Sequence, residues 1–361
     1  MFALLLCEFA LMKIRPVRSA SLASSDQYTM YRFDATLGWR PLPNHRSFLK
    51  RDEFTTEIQS NSFGWRDREH SHTRTPGVKR IAVIGDSFTW GLGVASEDRF
   101  TEQLDRLNGP SAEILNFGVS GYGPVQHLLI LDEILAFNPD EVIIQFCLSN
   151  DYADNTQSKR YGYFKPYGIL DPKGQLSIIS SAVRPTAQYH TDFPSLSALF
   201  SALARYSRIA DIIYLGLQTP KDRDLVEGHG GLVALGQDQD AIYDPRSKGD
   251  LEASEYASLV NRAVFSQIAH KLREKNIPLL VVAGPTKCEV GDCPVGTKGV
   301  RQKAARNLLS GEMASLNIEF FDPSDNFLVS DYWTIDGHWQ AAGHKKFAAI
   351  LFSYRSKDSG R

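Results

Sequence analysis

Residues 81–87 read IAVIGDS, an apolar run that stops at a Gly-Asp-Ser sequence. Four consecutive apolar residues are typical of a strand that is buried on both faces, as in a parallel sheet. Gly85 allows a sharp turn, so Ser87 is predicted to lie just beyond the carboxyl end of that strand. Open α/β sheets place their ligand sites at this edge. The hydroxyl group of Ser87 is therefore a candidate nucleophile.

The chain alternates strands and helices on both sides of a long irregular stretch. This alternation is the βαβ signature of a parallel sheet with right-handed crossovers. An extension over 19–78 is predicted to lay two aromatic segments, 37–40 and 63–66, on the core. A large insertion over about 151–250, with a helical segment near 196–217 and a Gly/Asp-rich loop around 227–250, is of the kind that forms lids or binding loops. Strands are predicted over 79–84, 112–116, 141–148, 278–282 and 318–321, and helices over 97–107, 125–137, 251–274, 300–316 and 340–354.

The composition limits the classes of function. The chain has 361 residues, 42% of them apolar, which is enough to fill a large core. Its net charge of −2 gives no overall basic field, so no nucleic-acid partner is predicted. No cofactor or metal is expected, because the glycines at 91–93 lack phosphate-loop spacing and Cys288 and Cys293 have no further zinc ligands nearby. These two cysteines leave open either a disulfide loop in an exported protein or two free thiols.

Residues 1–18 do not decide whether the protein is located in the cytoplasm or in the cell envelope. The apolar run over 1–12 is interrupted by Glu8 and followed by Lys13, Arg15 and Arg18. It is shorter than the roughly 20 residues that span a bilayer, and it lacks the positively charged start of a signal peptide. Three interpretations remain: the remnant of a longer membrane anchor that starts upstream, a short export signal, or an amphipathic helix. The first of these would associate the protein with a membrane.

Two further predicted strands are followed by candidate site residues. Gly121 follows the second strand and Asn150 the third, and both should converge with Ser87 because the carboxyl ends of parallel strands share one edge. His338 and Asp336 precede the last helix, which returns them to the same edge. A serine hydroxyl needs a base, histidine is the best base near neutral pH, and a carboxylate fixes its tautomer. The backbone N–H groups of Ser87 and Gly121 and the amide of Asn150 are candidate donors to an oxyanion.

Four segments of the sequence, Gly85-Asp86-Ser87, Gly121, Asn150-Asp151 and Asp336-Gly337-His338, resemble the four blocks of the SGNH (GDSL-type) hydrolase superfamily. The resemblance covers 79–150 and about 251–355. It implies a three-layer α/β/α sandwich around a flavodoxin-like, five-stranded parallel sheet. It also implies that Ser87 is the nucleophile, that His338 is the base with Asp336 behind it, and that Ser87, Gly121 and Asn150 form the oxyanion hole.

The sequence departs from the family pattern at two positions. Leu148 stands where many members have glycine, two residues before the asparagine of the third block. The last pair is spaced Asp-x-His instead of Asp-x-x-His, as in some members and in related polysaccharide O-acetyltransferases. These departures bear on the geometry around Asn150 and on the role of Asp336.

The function implied by the resemblance is that of a serine ester hydrolase acting on O-acyl groups of carbohydrates or lipids, with a small-molecule or glycan ester as its partner. Two alternatives stay open: an O-acyltransferase that modifies an exported polysaccharide with the same residues, and a non-catalytic binding module. Asp86 and Asp151 are expected to brace loops. Structural roles are expected for Trp90, His127, Cys147, Trp339 and His344.

Overall fold

The computed structural model describes residues 30–160, 163–180, 248–291 and 298–358. The ten predicted strands and helices are all present, with ends that differ by a few residues, and further short strands and helices that were not predicted accompany them. The strands are β1 (Tyr31–Asp34), β2 (Gly38–Pro41), β3 (Arg46–Lys50), β4 (Thr55–Gln59), β5 (Lys79–Gly85), β6 (Ala112–Gly118), β7 (Glu141–Cys147), β8 (Lys159–Arg160), β9 (Tyr163–Phe164), β10 (Tyr167–Leu170), β11 (Leu176–Ile179), β12 (Leu279–Gly284) and β13 (Glu319–Phe321). The helices are α1 (Ser87–Trp90), α2 (Phe100–Asn108), α3 (Pro124–Leu135), α4 (Asp151–Asp154), α5 (Lys248–Arg273), α6 (Lys287–Val290), α7 (Lys298–Ser315) and α8 (Ala341–Asp358).

Five parallel strands form the central sheet, in the order β6-β5-β7-β12-β13. Counted along the chain, these strands lie in the order 2-1-3-4-5, which is the flavodoxin-like order. The predicted parallel sheet and its flavodoxin-like topology are therefore confirmed. The strand order reverses between β5 and β7, and the carboxyl ends of strands at such a reversal form the crevice where ligands bind.

Alternate side chains of β5 point to opposite faces of the sheet, and helices cover both faces. Ile81 and Val83 pack in a cluster with apolar residues of α2 and α8. Ala82 and Ile84 pack in a second cluster with apolar residues of α3, α5 and α7. Because both faces are covered, the strand reads as a continuous apolar run rather than an alternating one. The predicted three-layer α/β/α sandwich is confirmed.

The described part of the N-terminal extension forms two antiparallel hairpins, β1–β2 and β3–β4. Trp39 of β2 packs on Tyr122 with ring centroids 5.8 Å apart. Trp65 packs edge-on against Phe117 of β6, with ring centroids 5.1 Å apart. Both tryptophans lie in the same buried cluster as the side chains of β5 that face α3. The aromatic residues thus attach the extension to the sheet domain.

The described part of the insertion forms short elements of regular secondary structure. It comprises α4 and two short antiparallel hairpins, β8–β9 and β10–β11. Gly168 of β10 lies against Val260 of α5, where an added Cβ would stand 2.7 Å from a valine methyl group. The segments near 196–217 and 227–247, and the first 18 residues, lie outside the described residues. Within the described ranges, no helix combines the length and apolar character needed to cross a membrane.

Candidate active site

Ser87 begins α1 directly after the turn that ends β5. Asp86 caps this helix, since its Oδ1 accepts the backbone N–H of Phe88 at 2.9 Å. Glycine is required at position 118 of the neighbouring strand, because a Cβ there would lie 2.4 Å from the backbone nitrogen of Trp90. The close approach of β6 to α1 holds the turn that carries Ser87, and Ser87 is 4% exposed.

Ser87, His338 and Asp336 form a continuous hydrogen-bonded chain. The Oγ of Ser87 lies 2.8 Å from Nε2 of His338. The Nδ1 of the same ring lies 2.5 Å from Oδ1 of Asp336. A carboxylate only accepts hydrogen bonds, so Nδ1 carries a proton and the Nε2 lone pair faces the serine hydroxyl. In this arrangement the imidazole can take the serine proton, and the carboxylate can orient the imidazole.

The carboxylate of Asp336 stays ionised at neutral pH. Burial opposes its ionisation, but the charge and hydrogen bond of His338 and the nearby charge of Arg51 outweigh burial. The pKa of Asp336 therefore lies below its ordinary value. A charged Asp336 holds the imidazole in one tautomer and favours the imidazolium that forms when His338 accepts a proton.

The loop that carries His338 is closed by backbone pairing at its base. Tyr332 and Trp339 form an antiparallel bridge, and the backbone N–H of Trp333 donates to the carbonyl of His338 at 2.8 Å. Trp339 is fully buried and packs edge-on against Phe88, with ring centroids 4.7 Å apart. The structural role expected for Trp339 is confirmed, and its packing sets the position of the histidine beside it.

The turn that contains Gly121 lies next to the turn between β5 and α1. The N–H of Val119 donates to the carbonyl of Gly85 at 3.1 Å. Gly121 has a φ of +80°, in the left-handed region that favours glycine. The indole N–H of Trp39 donates to the carbonyl of Ser120 at 3.3 Å. Hydrogen bonds to Val119 and Ser120, from β5 and from the N-terminal extension, thus hold the turn that contains Gly121.

Asn150 lies at the third strand end as expected, but its side chain is already engaged. Its Nδ2 donates to Oδ1 of Asp151 at 3.0 Å and to Oδ2 of Asp154 at 2.9 Å. Its Oδ1 accepts the hydroxyl of Ser149 at 3.1 Å. Both amide protons therefore face carboxylates. The role of Asn150 in an oxyanion hole stays a prediction. It requires Asn150 to share one of its two amide protons with the substrate oxygen.

A buried charged cluster, formed by Asp154, Arg160 and Lys165, lies behind Asn150. Arg160 donates to Oδ2 of Asp154 at 2.7 Å, and the Nζ of Lys165 lies 3.8 Å from Oδ1. Lys165 also donates to the backbone carbonyl of Asp154. Burial lowers the pKa of Lys165 to about 8. The sequence does not reveal these two cations, because charged residues in a polar stretch are typical of a solvated surface.

Burial raises the pKa of Asp151 well above its ordinary value, and the neighbouring Asp86 and Asp154 raise it further. Its Oδ2 accepts the backbone N–H of Cys147 at 2.8 Å, which ties α4 to the end of β7. Asp86 likewise braces the turn between β5 and α1, because its side chain caps α1. The prediction that Asp86 and Asp151 brace their loops is confirmed.

The other histidines singled out in the sequence lie in the core. His127 of α3 and His344 of α8 are fully buried, and burial lowers the pKa of each to about 3, so both are neutral. Nδ1 of His344 accepts the backbone N–H of Phe100 at 3.2 Å. The buried thiol of Cys147 is free, whereas Cys288 is disulfide-bonded. Cys293 lies outside the described residues.

Arg66 is a further residue of the site region that sequence analysis missed. Its guanidinium is buried and donates to the carbonyls of Trp90 at 2.9 Å, Gly91 at 2.5 Å and Val94 at 2.8 Å. The N–H of Gly91 in turn donates to the carbonyl of Ser87 at 3.0 Å. Arg66 thus holds the loop that follows α1. The one sequence signal is its place in segment 63–66, for which only the aromatic side chains were predicted to contact the core.

Comparisons with known proteins give similarity of fold only. No protein-family model matches the sequence, and no curated protein matches it. Among solved structures, the chain is similar to an acetyl xylan esterase at 13% identity, covering 76% of this chain and 98% of the other with a TM-score of 0.40. It is also similar to an aryl esterase of M. smegmatis, at 16% identity, 78% and 99% coverage and a TM-score of 0.37. A carbohydrate acetylesterase family member from Sinorhizobium meliloti is similar at 14% identity, with 79% and 100% coverage and a TM-score of 0.39.

The fold rests on the chain's own topology. The five strands lie in flavodoxin-like order between two layers of helices, and the serine follows the first of them. The protein therefore has a flavodoxin-like, three-layer α/β/α fold with a serine directly after the first strand of its sheet.

Proposed function

We propose that the protein is a serine ester hydrolase that acts through an acyl-enzyme. The hydrogen-bonded chain from Ser87 through His338 to Asp336 carries this proposal. The three side chains come from the two ends of the sheet domain, and their atoms meet at the distances that proton transfer requires. A buried serine that donates to an oriented imidazole is the arrangement of an activated nucleophile.

In the first step, Oγ of Ser87 attacks the acyl carbon of the ester while its proton passes to Nε2 of His338. The carbonyl oxygen becomes an oxyanion in the tetrahedral intermediate. When the intermediate collapses, the bond to the alcohol oxygen breaks and His338 returns the proton to that oxygen. The alcohol leaves, and the acyl group stays on Ser87.

In the second step, His338 takes a proton from water, which attacks the acyl carbon and releases the acid. The proton returns to Oγ of Ser87, so the site is restored. The backbone N–H groups of Ser87 and Gly121 and a shared proton of Asn150 are the proposed donors to the oxyanion in both steps. Removing one such donor typically costs roughly 10²–10³ in rate.

The test is hydrolysis of short p-nitrophenyl esters by Ser87→Ala beside Ser177→Ala, an exposed serine on β11 that serves as the matched control. We expect Ser87→Ala to lose hydrolysis and labelling by a fluorophosphonate while its melting temperature stays near that of the wild type. The control should keep both. Unchanged turnover in Ser87→Ala would overturn the proposal. A folded wild type that is neither active nor labelled would indicate a binding module instead.

We propose O-acyl groups of carbohydrates or lipids as the substrate class. A panel of p-nitrophenyl esters of increasing acyl length, run beside acetyl release from acetylated polysaccharides, tests this class and separates its members. The acyl-enzyme could also pass its acyl group to a sugar hydroxyl. Measuring how acyl groups divide between water and an added glycan identifies a transferase if the glycan takes most of them.

A further inference from the structure

One side chain of the N-terminal extension binds the backbone of the loop that carries His338. The carboxylate of Glu53, in the turn between β3 and β4, accepts three consecutive backbone N–H groups. They are those of Thr334 at 2.7 Å, Ile335 at 2.7 Å and Asp336 at 2.8 Å. Successive N–H groups that point to one side form a cradle for an anion. Hydrogen bonds to an ionised acceptor are about twice as strong as neutral ones.

Few side chains pack against the segment held by Glu53. Thr334 and Ile335 are exposed, and Ile335 is 52% accessible. Gly337 follows with a φ of +81°, and a Cβ on it would meet no atom within 4 Å. Packing therefore does not restrain this stretch. Lys287 holds it from the carbonyl side, where its Nζ donates to Trp333 and Thr334.

Two more contacts join the same turn to the catalytic loops. The ring of Phe54 lies 5.3 Å from the ring of Trp333. Gly93, in the loop after the nucleophile helix, lies against both rings, and an added Cβ would stand 2.6 Å from the indole nitrogen. The charge of Arg51 acts on Asp336 as well. The turn of the β3–β4 hairpin thus contacts the loops of both the nucleophile and the base.

We propose that Glu53 is a positioning residue of the catalytic site, which fixes the backbone of Asp336 so that its carboxylate meets Nδ1 of His338. The inference rests on the proposed function and deepens it. The backbone N–H of Asp336 donates to the Glu53 carboxylate, and the side chain of Asp336 accepts the Nδ1 proton of His338. If the backbone moves, the carboxylate moves with it. A misplacement of about 1 Å can cost on the order of 10² in rate.

The experiment compares Glu53→Gln, Glu53→Ala and Glu53→Asp with Glu57→Gln. Glu57 lies on the same hairpin and pairs with the exposed Arg46, so it is the matched control. Gln at position 53 loses the charge and turns an NH₂ group toward N–H donors. We expect kcat on p-nitrophenyl acetate to fall roughly 10- to 100-fold in the Gln and Ala variants, with KM nearly unchanged. Asp, which keeps the charge on a shorter side chain, should restore part of the loss.

Two readouts separate positioning from a general loss of stability. The acidic limb of the pH profile of kcat/KM should move to lower pH in Glu53→Gln, because a displaced Asp336 stabilises the imidazolium less. The strongly deshielded NMR signal of the His338 Nδ1 proton should move upfield. Melting temperatures identify any variant that fails to fold, and Glu53→Asp then carries the test.

The proposal is overturned if Glu53→Gln and Glu53→Ala keep the kcat, the acidic limb and the proton signal of the wild type. Failure of the proposed function looks different, since the wild type itself would then be inactive and Ser87 would not be labelled. Even in that case, the proton signal still reports whether Glu53 holds Asp336 against His338.

Discussion

His338 Nε2 lies 2.8 Å from Ser87 Oγ, although 251 positions separate the two residues along the chain. Ser87 follows the first strand of the sheet, and His338 precedes the last helix. That helix, α8, packs on the face of the sheet that carries Ile81 and Val83 of β5. The parallel sheet thus brings the start and the end of its own domain to one edge.

The proposed mechanism makes the two residues act in one proton transfer, so their substitutions should not add. We expect Ser87→Ala and His338→Ala each to lower kcat by on the order of 10⁴–10⁶, and the double variant to lower it no further. Asp336→Asn should cost about 10⁴, since an amide donor would place the imidazole proton on Nε2. Steady-state kinetics on p-nitrophenyl acetate check this. A double variant that is far slower than either single one would contradict a shared proton-transfer step.

Asn150 supplies the second prediction. If its amide shares a proton with the oxyanion, Asn150→Ala should lower kcat roughly 10²–10³-fold with little change in KM. Asn155 is the matched control, a buried asparagine just after α4 whose Nδ2 donates to Asn261 at 2.9 Å. Asn155→Ala should lower the melting temperature but keep kcat near that of the wild type. Equal losses of kcat in both variants would show that Asn150 is structural.

Arg66 supplies the third prediction. Lysine at this position keeps the charge but cannot reach the carbonyls of Trp90, Gly91 and Val94 together. Each buried carbonyl left without a donor costs about 1–3 kcal/mol. Arg66→Lys should therefore lower the free energy of unfolding and reduce kcat, because the loop it holds is bonded to the backbone of Ser87. Urea unfolding and kinetics measure both, and the exposed Arg46→Lys should change neither.

A buried histidine links the extension to the sheet. Nε2 of His70 lies 2.9 Å from Asp67, and Nδ1 lies 2.6 Å from Glu113. Burial opposes protonation, but the hydrogen bonds to the two carboxylates raise the pKa of His70 above its ordinary value. Its folded pKa is raised, so the stabilisation is complete below the unfolded value of about 6.5 and is lost as pH rises through the folded one.

The free energy of unfolding should therefore decline above a pH of about 6.5, and His70→Gln should flatten that decline. At low pH the substitution should cost roughly 3–5 kcal/mol, the usual range for removing one partner of a buried ion pair. Urea unfolding over a pH series measures this. His270, which is exposed on α5, gives the control, since His270→Gln should leave the curve unchanged. An identical pH dependence in His70→Gln and the wild type would refute the assignment.

Local signals in the sequence were sufficient to predict the sheet and to place Ser87, His338 and Asp336 together. An apolar run that ends at Gly85 marks both a strand and its carboxyl end, and Ser87 follows at once. His338 lies just before a helix whose apolar face must return to the sheet. Each inference needs only the residue type and its place in one element. The parallel order of the strands then brings the pieces together.

The supports of the site could not be predicted in this way. Glu53 and Arg66 bind backbone N–H and carbonyl groups, which every residue possesses, so no partner residue marks the contact in the sequence. Lys165 and Arg160 lie in a polar stretch where charges are normally solvated. The direction of the Asn150 amide depends on Asp154, four residues further on, and on the cations that pair with it. These contacts depend on the tertiary structure alone.

The extension supports three loops of the site: Trp39 contacts the turn of Gly121, Glu53 and Phe54 contact the loop of Asp336, and Arg66 contacts the loop after Ser87. A fragment that begins at Lys79 would keep every sheet strand and every proposed catalytic residue, yet lose all three supports. The smallest transplantable unit of this protein is therefore larger than its sheet domain. A graft of the catalytic machinery onto another scaffold would have to carry residues 30–78 with it.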